Sequence, residues 1–248
     1  MNTSNPALRE DTFTSLRSQA ERGAAMTIQG TIVKTALLLL VAVLSAGWTW
    51  MKFYQSGGNP ASVTTWIWVG VIGGLAMALV TSFKKEWAGI TAPLYALLEG
   101  LFIGAMSAML EASFPGIVMQ AAGLTFGTLF VMLFLYQSGM IKATEKFKLG
   151  VFAATGAIAL VYLVTMGLSF FGIHSSFMYG SSWLSIGISL VVVVVAALNF
   201  VIDFDFIEQG VRQSVPKYME WYGAFALMVT LVWLYIEFLR LLSKLRDR

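Results

Sequence analysis

Seven apolar segments, each of about twenty residues, restrict the fold of this chain more than any other feature. A helix needs about 20 mainly apolar residues to cross the hydrocarbon core of a bilayer. Because that core holds no water, every backbone amide and carbonyl must find a partner within the protein, which a helix provides. The predicted spans are Thr31–Met51, Val63–Phe83, Ala88–Leu110, Gly116–Tyr136, Leu149–Phe171, Trp183–Phe206 and Tyr218–Leu242. The predicted fold is therefore all-α: a polytopic membrane protein with a bundle of seven transmembrane helices.

The composition supports this class and excludes others. Only 12% of the 248 residues are charged, whereas about a quarter are charged in an average soluble domain. The chain has no cysteine, which rules out disulfides and thiolate metal sites. Most basic residues lie between the apolar segments, a pattern typical of membrane orientation and not of nucleic-acid binding. The lipid bilayer is thus the predicted partner, and no nucleic acid is expected.

The same basic residues predict an orientation and a division of the chain. We divide it into an N-terminal tail (residues 1–30), a transmembrane domain (31–242) and a short basic C-terminal tail (243–248). Lysine and arginine are concentrated in the N-terminal tail and in every second connection, so the N-terminus is predicted to be cytoplasmic. Seven spans then place a basic C-terminus on the opposite side. Either the earlier helices fix the topology, or one apolar segment is re-entrant, and we favour seven full spans.

Three pairs of glycines, each spaced by four residues, predict places where helices approach closely. The pairs are Gly70 with Gly74, Gly100 with Gly104, and Gly123 with Gly127.

Glu99 is an ionisable residue deep inside a predicted span. It lies eleven residues after Ala88, which is close to the bilayer midplane at about 1.5 Å per residue. Such residues usually face the interior of the bundle or a water-filled cavity. Two interpretations remain open: a protonated glutamate that bonds to a neighbouring helix, or part of an ion or proton path.

Asp203 and Asp205 end the sixth span, in FVIDFDFIEQG. At about 100° per residue, two positions that differ by two point about 200° apart, so the pair cannot share one face of a regular helix. Asp203 lies in a stripe with Asn199 and is predicted to face inward. Asp205 lies in a stripe with Glu208 that leads towards the water-facing, cytoplasmic end of the span. The alternative is that both aspartates only mark the polar end of a span.

Two further acids belong to the seventh span. Glu220 opens it and is predicted to lie near Asp205, whereas Glu237 has Arg240 three residues later as a predicted ion-pair partner. Buried carboxylates that neighbour one another resist full ionisation and can respond to pH, and they suit a hard cation such as Ca²⁺. The candidate ion-binding and pH-gating residues are Asp205, Asp203, Glu99, Glu237 and Glu220. Asp205 and Asp203 are the candidate Ca²⁺ ligands.

Three stretches carry a resemblance to a known family: PLYALLEGLFIG, FVIDFDFIEQG and LYIEFLRLL. With them the chain resembles the Bax inhibitor-1 (transmembrane Bax inhibitor motif) family, and its bacterial members in particular. The resemblance implies a seven-helix, multi-pass protein of the bacterial plasma (inner) membrane with a central last helix. It also implies a pH-sensing calcium leak channel. The resemblance assigns the control of its ion transport to a pair of acids on the last two helices.

The resemblance also implies roles for individual acids. It assigns the third-span glutamate to Glu99 and, through the shared Phe-Asp, the sixth-span acid to Asp205. The stretch LYIEF selects Glu237 as the seventh-span acid. If the family's spacing between the two acids is instead counted from Asp205 without gaps, the position falls near Thr230. Since Glu237 is predicted at the opposite depth from Asp205, Glu220 remains an alternative partner.

The family's basic residue in the second span has no counterpart here, unless Lys84 or Lys85 takes its place.

The alternative function is a non-transporting regulator that binds a membrane protease or another membrane partner. No enzyme is predicted: both aspartates lie on one helix, and His174, the single histidine, falls in a predicted external loop. No tightly bound cofactor is expected, only Ca²⁺ as a transported or bound ion.

Overall fold

The computed structural model describes residues 25–171, 180 and 182–247, and seven long helices run through them. Their bounds are α1 Ile28–Gln55, α2 Ala61–Phe83, α3 Ala88–Ser113, α4 Ile117–Gln137, α5 Glu145–Phe170, α6 Trp183–Arg212 and α7 Met219–Arg246. Each helix is long and apolar enough to cross a membrane, which confirms the predicted all-α bundle of seven spans. Residues 1–24 of the predicted tail and the loop residue His174 lie outside the described residues.

Helix α6 continues past Phe206, the end predicted from hydropathy, to Arg212. Two side-chain contacts between residues four apart support the extension: Gln209 donates to Asp205 at 2.5 Å, and Arg212 pairs with Glu208 at 2.5 Å. Such pairs stabilise a helix that is exposed to water. Hydropathy marks the depth of the hydrocarbon, whereas the helix itself ends where its hydrogen bonds and side-chain pairs end.

Helix α7 is the centre of the bundle. It packs against α1, α3, α4 and α6, and 56% of its most apolar stretch is buried. Met228, Leu234 and Leu239 are inaccessible to solvent. Helix α5, by contrast, has only 11% of its apolar stretch buried and packs mainly against α6. The central last helix implied by the family resemblance is thus observed.

Helix α3 is held between α1 and α2 by backbone contacts at glycines. A Cβ atom at Gly104 would lie 2.5 Å from the Cα of Ala46, and one at Gly70 would lie 2.6 Å from the carbonyl oxygen of Leu98. Real Cβ atoms do not approach that closely, so only glycine permits these helices their present separation. The predicted close approaches at the first two glycine pairs are confirmed.

The prediction for the third glycine pair is wrong. A Cβ atom at Gly123 or Gly127 would have no described atom of another element within 4 Å. The spacing of two glycines identifies a smooth stripe on a helix, but it does not establish that another helix covers the stripe.

We therefore expect Gly104→Ala to lower the stability of the bundle by about 1–3 kcal/mol, because α1 must move away from the added methyl group. Gly127→Ala is the matched control: it should be neutral or stabilising by up to about 1 kcal/mol, since alanine is the better helix former. Thermal unfolding of the two purified variants in detergent measures the difference. Equal melting temperatures would show that α1 and α3 are not in close contact.

Because the chain passes through the bundle seven times in alternating directions, the helix ends lie on two opposite faces. The start of α1 and the α2–α3, α4–α5 and α6–α7 connections share the N-terminal face, and the remaining connections share the C-terminal face with the end of α7. Residues 243–246 continue α7, past the boundary predicted at residue 242. Lys244 is buried and donates to the hydroxyl of Ser189 at 2.8 Å, and Arg246 donates to the carbonyl of Pro115 at 2.7 Å. These basic side chains are bonded to neighbouring segments of the protein.

Candidate functional site

Asp205 and Asp203 bond to different helices. Lys148, at the start of α5, pairs with Asp205 at 2.9 Å, and Gln209 donates to the same carboxylate oxygen. The hydroxyl of Thr230 on α7 donates to Asp203 at 2.6 Å. Because α6 is unbroken here, the two carboxylates point apart, as the helical spacing predicts, and they do not form one shared site.

Asp205 lies in the wall of a cavity of about 920 Å³, here called the N-terminal cavity. The cavity is bounded by α1, α4, α6, α7 and the residues that lead into α5. Its polar end also contains Glu208, Arg212 and Lys142. Glu208 accepts a hydrogen bond from the hydroxyl of Tyr136 and pairs with Arg212. Carboxylate and hydroxyl oxygens, the ligands of hard cations, are thus concentrated at one end of the cavity.

Glu220, which is predicted to lie near Asp205, forms its contacts with α1 and the residue before it, because the first turn of α7 presents its carboxylate to that helix. The carboxylate is 1% exposed and forms an ion pair with Lys34. It also accepts hydrogen bonds from the backbone amide and the hydroxyl of Thr27, at 3.0 and 2.9 Å. Gly30 makes room for it, since a Cβ atom there would lie 2.5 Å from the Oε2 of Glu220. The sequence prediction did not include Lys34, although a lone lysine near the start of an apolar segment is a signal for a buried partner.

The residues before α1 are attached to the α6–α7 connection. The amide of Met26 donates to the carbonyl of Val215 at 2.8 Å, and Ala25 forms an antiparallel bridge with Pro216. Together with Thr27 and Glu220, these contacts fix the start of the described chain next to the end of α6.

Glu99 is half-buried in α3 and faces α2. The hydroxyl of Tyr95 donates to its Oε1 at 3.3 Å, and a Cβ atom at Gly74 would lie 3.3 Å from its Oε2. The ring of Tyr95 packs in turn against Phe225 of α7. Glu99 does not line the N-terminal cavity. Its described contacts are with Tyr95 of its own helix and with Gly74 of α2, and none of them is with an acid of α6 or α7.

Glu237 lies in the half of α7 nearer the C-terminal face, far along the helix from Glu220. It is 1% exposed, accepts a hydrogen bond from the hydroxyl of Tyr162 at 2.9 Å, and pairs with Arg240 at 3.5 Å, which confirms the predicted ion pair. Its Oε2 has no hydrogen-bond partner among the described residues. Since Asp205 lies at the N-terminal face, the predicted separation of the two acids is observed, and Thr230 is the α7 residue at the depth of Asp203.

Helix α5 carries three polar residues at a spacing of seven: Lys148, Thr155 and Tyr162. Residues seven apart lie on one face of a helix. Their partners, in the same order, are Asp205, Asn199 and Glu237. Because α5 buries little apolar surface, its attachment to the bundle depends strongly on these contacts, two of which involve candidate acids.

The described residues contain no group of three or more histidine, aspartate or glutamate side chains that converge on one point. The candidate acids are instead distributed over separate places, and each meets a base or a hydroxyl group. The bases that form ion pairs with them are Lys34, Lys148 and Arg240. Lys85 of the α2–α3 connection instead lies over the ring of Tyr222, at 5.2 Å.

A comparison with curated proteins finds no match to this chain. A comparison with protein families gives a match to the family described as Bax inhibitor 1 like, over residues 5–247. The match includes all seven helices, the central α7 and the polar contacts of α6. The protein is a multi-pass membrane protein that belongs to the Bax inhibitor 1 like family.

Proposed function

We propose that the protein is a pH-sensitive leak channel for Ca²⁺ and related cations in the plasma (inner) membrane of a bacterium. The observation that carries the proposal is the position of Asp205, which lies in the wall of the N-terminal cavity and is paired with Lys148 at 2.9 Å. Oxygen atoms of carboxylates and hydroxyls suit Ca²⁺. The passage is not enzymatic and requires no bound cofactor.

The pair of Lys148 and Asp205 acts as the gate in this proposal. When both groups are charged, the pair holds the start of α5 against α6 and occupies the carboxylate. Protonation of Asp205 removes the negative charge and with it the charge-assisted hydrogen bond. Flux is therefore expected to be low at neutral pH and to rise as the pH falls.

The remaining acids have supporting roles. Asp203, with the hydroxyl of Thr230, supplies a separate group of oxygen atoms on the side of α6 that faces α7, and Glu237 holds the other end of α5 through Tyr162. Glu220 holds α7 against α1 through Lys34, and Glu99, which is bonded to Tyr95 of its own helix, lies where α3 meets α2. Ion passage along α5 and α6 is the arrangement that these contacts support best.

A cytoplasmic N-terminus is part of the proposal. Basic residues are concentrated on the N-terminal face, whereas those at the end of α7 are bonded to Ser189, Pro115 and Gln120. Because lysine and arginine near span ends stay on the cytoplasmic side, this distribution supports the orientation.

Calcium flux into proteoliposomes, measured against pH, tests the proposal. We expect Asp205→Asn to abolish the pH dependence of the flux, because an amide cannot be protonated and does not form the ion pair with Lys148. Glu145→Gln is a control, since its exposed carboxylate contacts the same lysine at 3.4 Å but does not line the cavity. Absence of Ca²⁺ flux in the wild type, or an unchanged pH profile in Asp205→Asn, would contradict the proposed function.

A second candidate is a non-transporting regulator that binds a membrane protease or another membrane partner. The contacts of Ala25 and Met26 with the α6–α7 connection favour it, because a partner held by the preceding tail would act next to the end of α6. Under this alternative, deletion of residues 1–24 abolishes partner capture from native membranes, whereas Asp205→Asn does not.

A further inference from the structure

A second cavity continues the N-terminal cavity along the same gap between helices. It measures about 330 Å³, is lined by α1, α3, α4 and α7, and is here called the C-terminal cavity. Leu39 lines both cavities. Helices α1 and α4 form the two sides of the gap, and α7 forms its floor through Leu227 and Leu231. The two cavities thus follow one another along a groove between α1 and α4, with Leu39 in the wall of both.

The two cavities meet about halfway along the helices that line them. Along α1, the N-terminal cavity extends from Ile28 to Leu39 and the C-terminal cavity from Leu39 to Trp50. Eleven helical rises correspond to about 16 Å, which is close to half of the hydrocarbon core of about 30 Å. Each cavity therefore has the depth of one lipid leaflet.

The N-terminal cavity is open sideways, between α1 and α4. Ile32 on one side is 53% exposed, and Phe130 on the other is 65% exposed. In a membrane these side chains face hydrocarbon and not water. An acyl chain can therefore enter the cavity directly from the bilayer and contact the apolar residues of its wall.

The polar end of the N-terminal cavity has one cation that pairs with none of the described acids. Asp205 is paired with Lys148, and Glu208 is paired with Arg212. Lys142 also lines this end, is exposed, and forms no ion pair with any described residue. None of the described residues that line the C-terminal cavity is charged. The two cavities thus differ in the one property that would hold an anionic headgroup.

We propose that the N-terminal cavity binds an anionic glycerophospholipid, with one acyl chain between Ile32 and Phe130 and its phosphate next to Lys142. Arg212 lies at the same end and adds a second cation near the phosphate. A basic group near a membrane surface attracts anionic lipid, and here the attraction acts on the lipid whose chain occupies the groove. The proposal is independent of ion leak, because lipid contact can be measured without flux.

Photo-crosslinking tests this proposal. The full-length protein is reconstituted in phosphatidylcholine vesicles that contain a trace of phosphatidylglycerol with a photoreactive group on its acyl chain. We expect saturable labelling of α1 and α4 at the residues that line the N-terminal cavity, with unlabelled phosphatidylglycerol as the better competitor. Labelling spread evenly over all lipid-facing helices, including α5, would overturn the proposal, as would equal competition by phosphatidylcholine.

Two pairs of variants separate the chain site from the headgroup site. Ala36→Phe fills the cavity from an exposed lining position and should abolish cavity labelling, whereas Ala157→Phe, at an exposed position on α5, should not. Lys142→Gln should weaken competition by phosphatidylglycerol about fivefold, whereas Lys146→Gln, which does not line the cavity, should leave it unchanged.

All four variants change exposed residues, and their thermal unfolding confirms that they fold. If Ala36→Phe retained the labelling pattern of the wild type, the lipid would not occupy this cavity. If Lys142→Gln and Lys146→Gln competed alike, Lys142 would not bind the headgroup and the proposal would fail in that part.

Discussion

Lys34→Met is expected to lower the free energy of unfolding by about 3–5 kcal/mol, since removal of one member of a buried ion pair leaves the other charge uncompensated. The remaining charge is that of Glu220, which is 1% exposed and is fixed in place by the amide and hydroxyl of Thr27. It cannot move to water without breaking the contacts between α1 and α7. Thermal unfolding of the purified protein in detergent, or its resistance to denaturant, measures the loss.

A second substitution should restore the stability that Lys34→Met removes. Lys34→Met combined with Glu220→Gln should recover most of the lost stability, because an amide carries no charge and can still accept hydrogen bonds from Thr27. Lys52→Met is the control at the other end of α1: that lysine is exposed and lies over the ring of Trp48, so its loss should cost less than about 1 kcal/mol. If Lys34→Met were as stable as Lys52→Met, the pair with Glu220 would not stabilise the bundle.

The positions of the seven helices could be predicted from the sequence, because residues that lie in the hydrocarbon core must be apolar and therefore form runs of high hydropathy. Each predicted span lies within, or within two residues of, an observed helix, and α6 and α7 differ mainly in running further, to Arg212 and Arg246. The close approaches at Gly70 and Gly104 were predictable too, since a glycine on an apolar face permits them. The exposed stripe of Gly123 shows the limit of that argument, because the spacing does not identify the neighbouring helix.

The partners of the acids could not be predicted for the same reason. Hydropathy gives the depth of a residue but not the direction in which its helix faces within the bundle. Depth alone therefore places Glu220 in the region of Asp205, whereas the rotation of α7 turns its carboxylate to Lys34 on α1. Lys148 is one of the basic residues between the fourth and fifth predicted spans, and the sequence gives no sign that it forms the ion pair with Asp205. The contact within one helix, Glu237 with Arg240, was predictable because helical spacing alone defines it.

Under the proposed function, Lys148→Met should give a calcium leak in proteoliposomes at neutral pH, where the wild type is expected to be closed. The substitution keeps an unbranched side chain, one atom shorter, and leaves the carboxylate of Asp205 in place, but it removes the charge that pairs with it. A hydrogen bond to a charged group contributes about 1.5–3 kcal/mol, so the ratio of open to closed protein should rise about tenfold or more. Lys148→Met thus opens the gate with Asp205 still ionised, whereas Asp205→Asn removes the response to pH.

Lys146→Met is the matched control, because it removes the same charge two residues earlier, from an exposed position that forms no ion pair with any described residue. The two variants have equal net charge and the same reduction of the basic cluster on the N-terminal face, so a general effect of surface charge on Ca²⁺ would appear in both. A leak in Lys148→Met alone indicates the pair with Asp205 as the gate. Equal flux in the two variants and the wild type at neutral pH would contradict that role, since the start of α5 would then be held closed by contacts other than this ion pair.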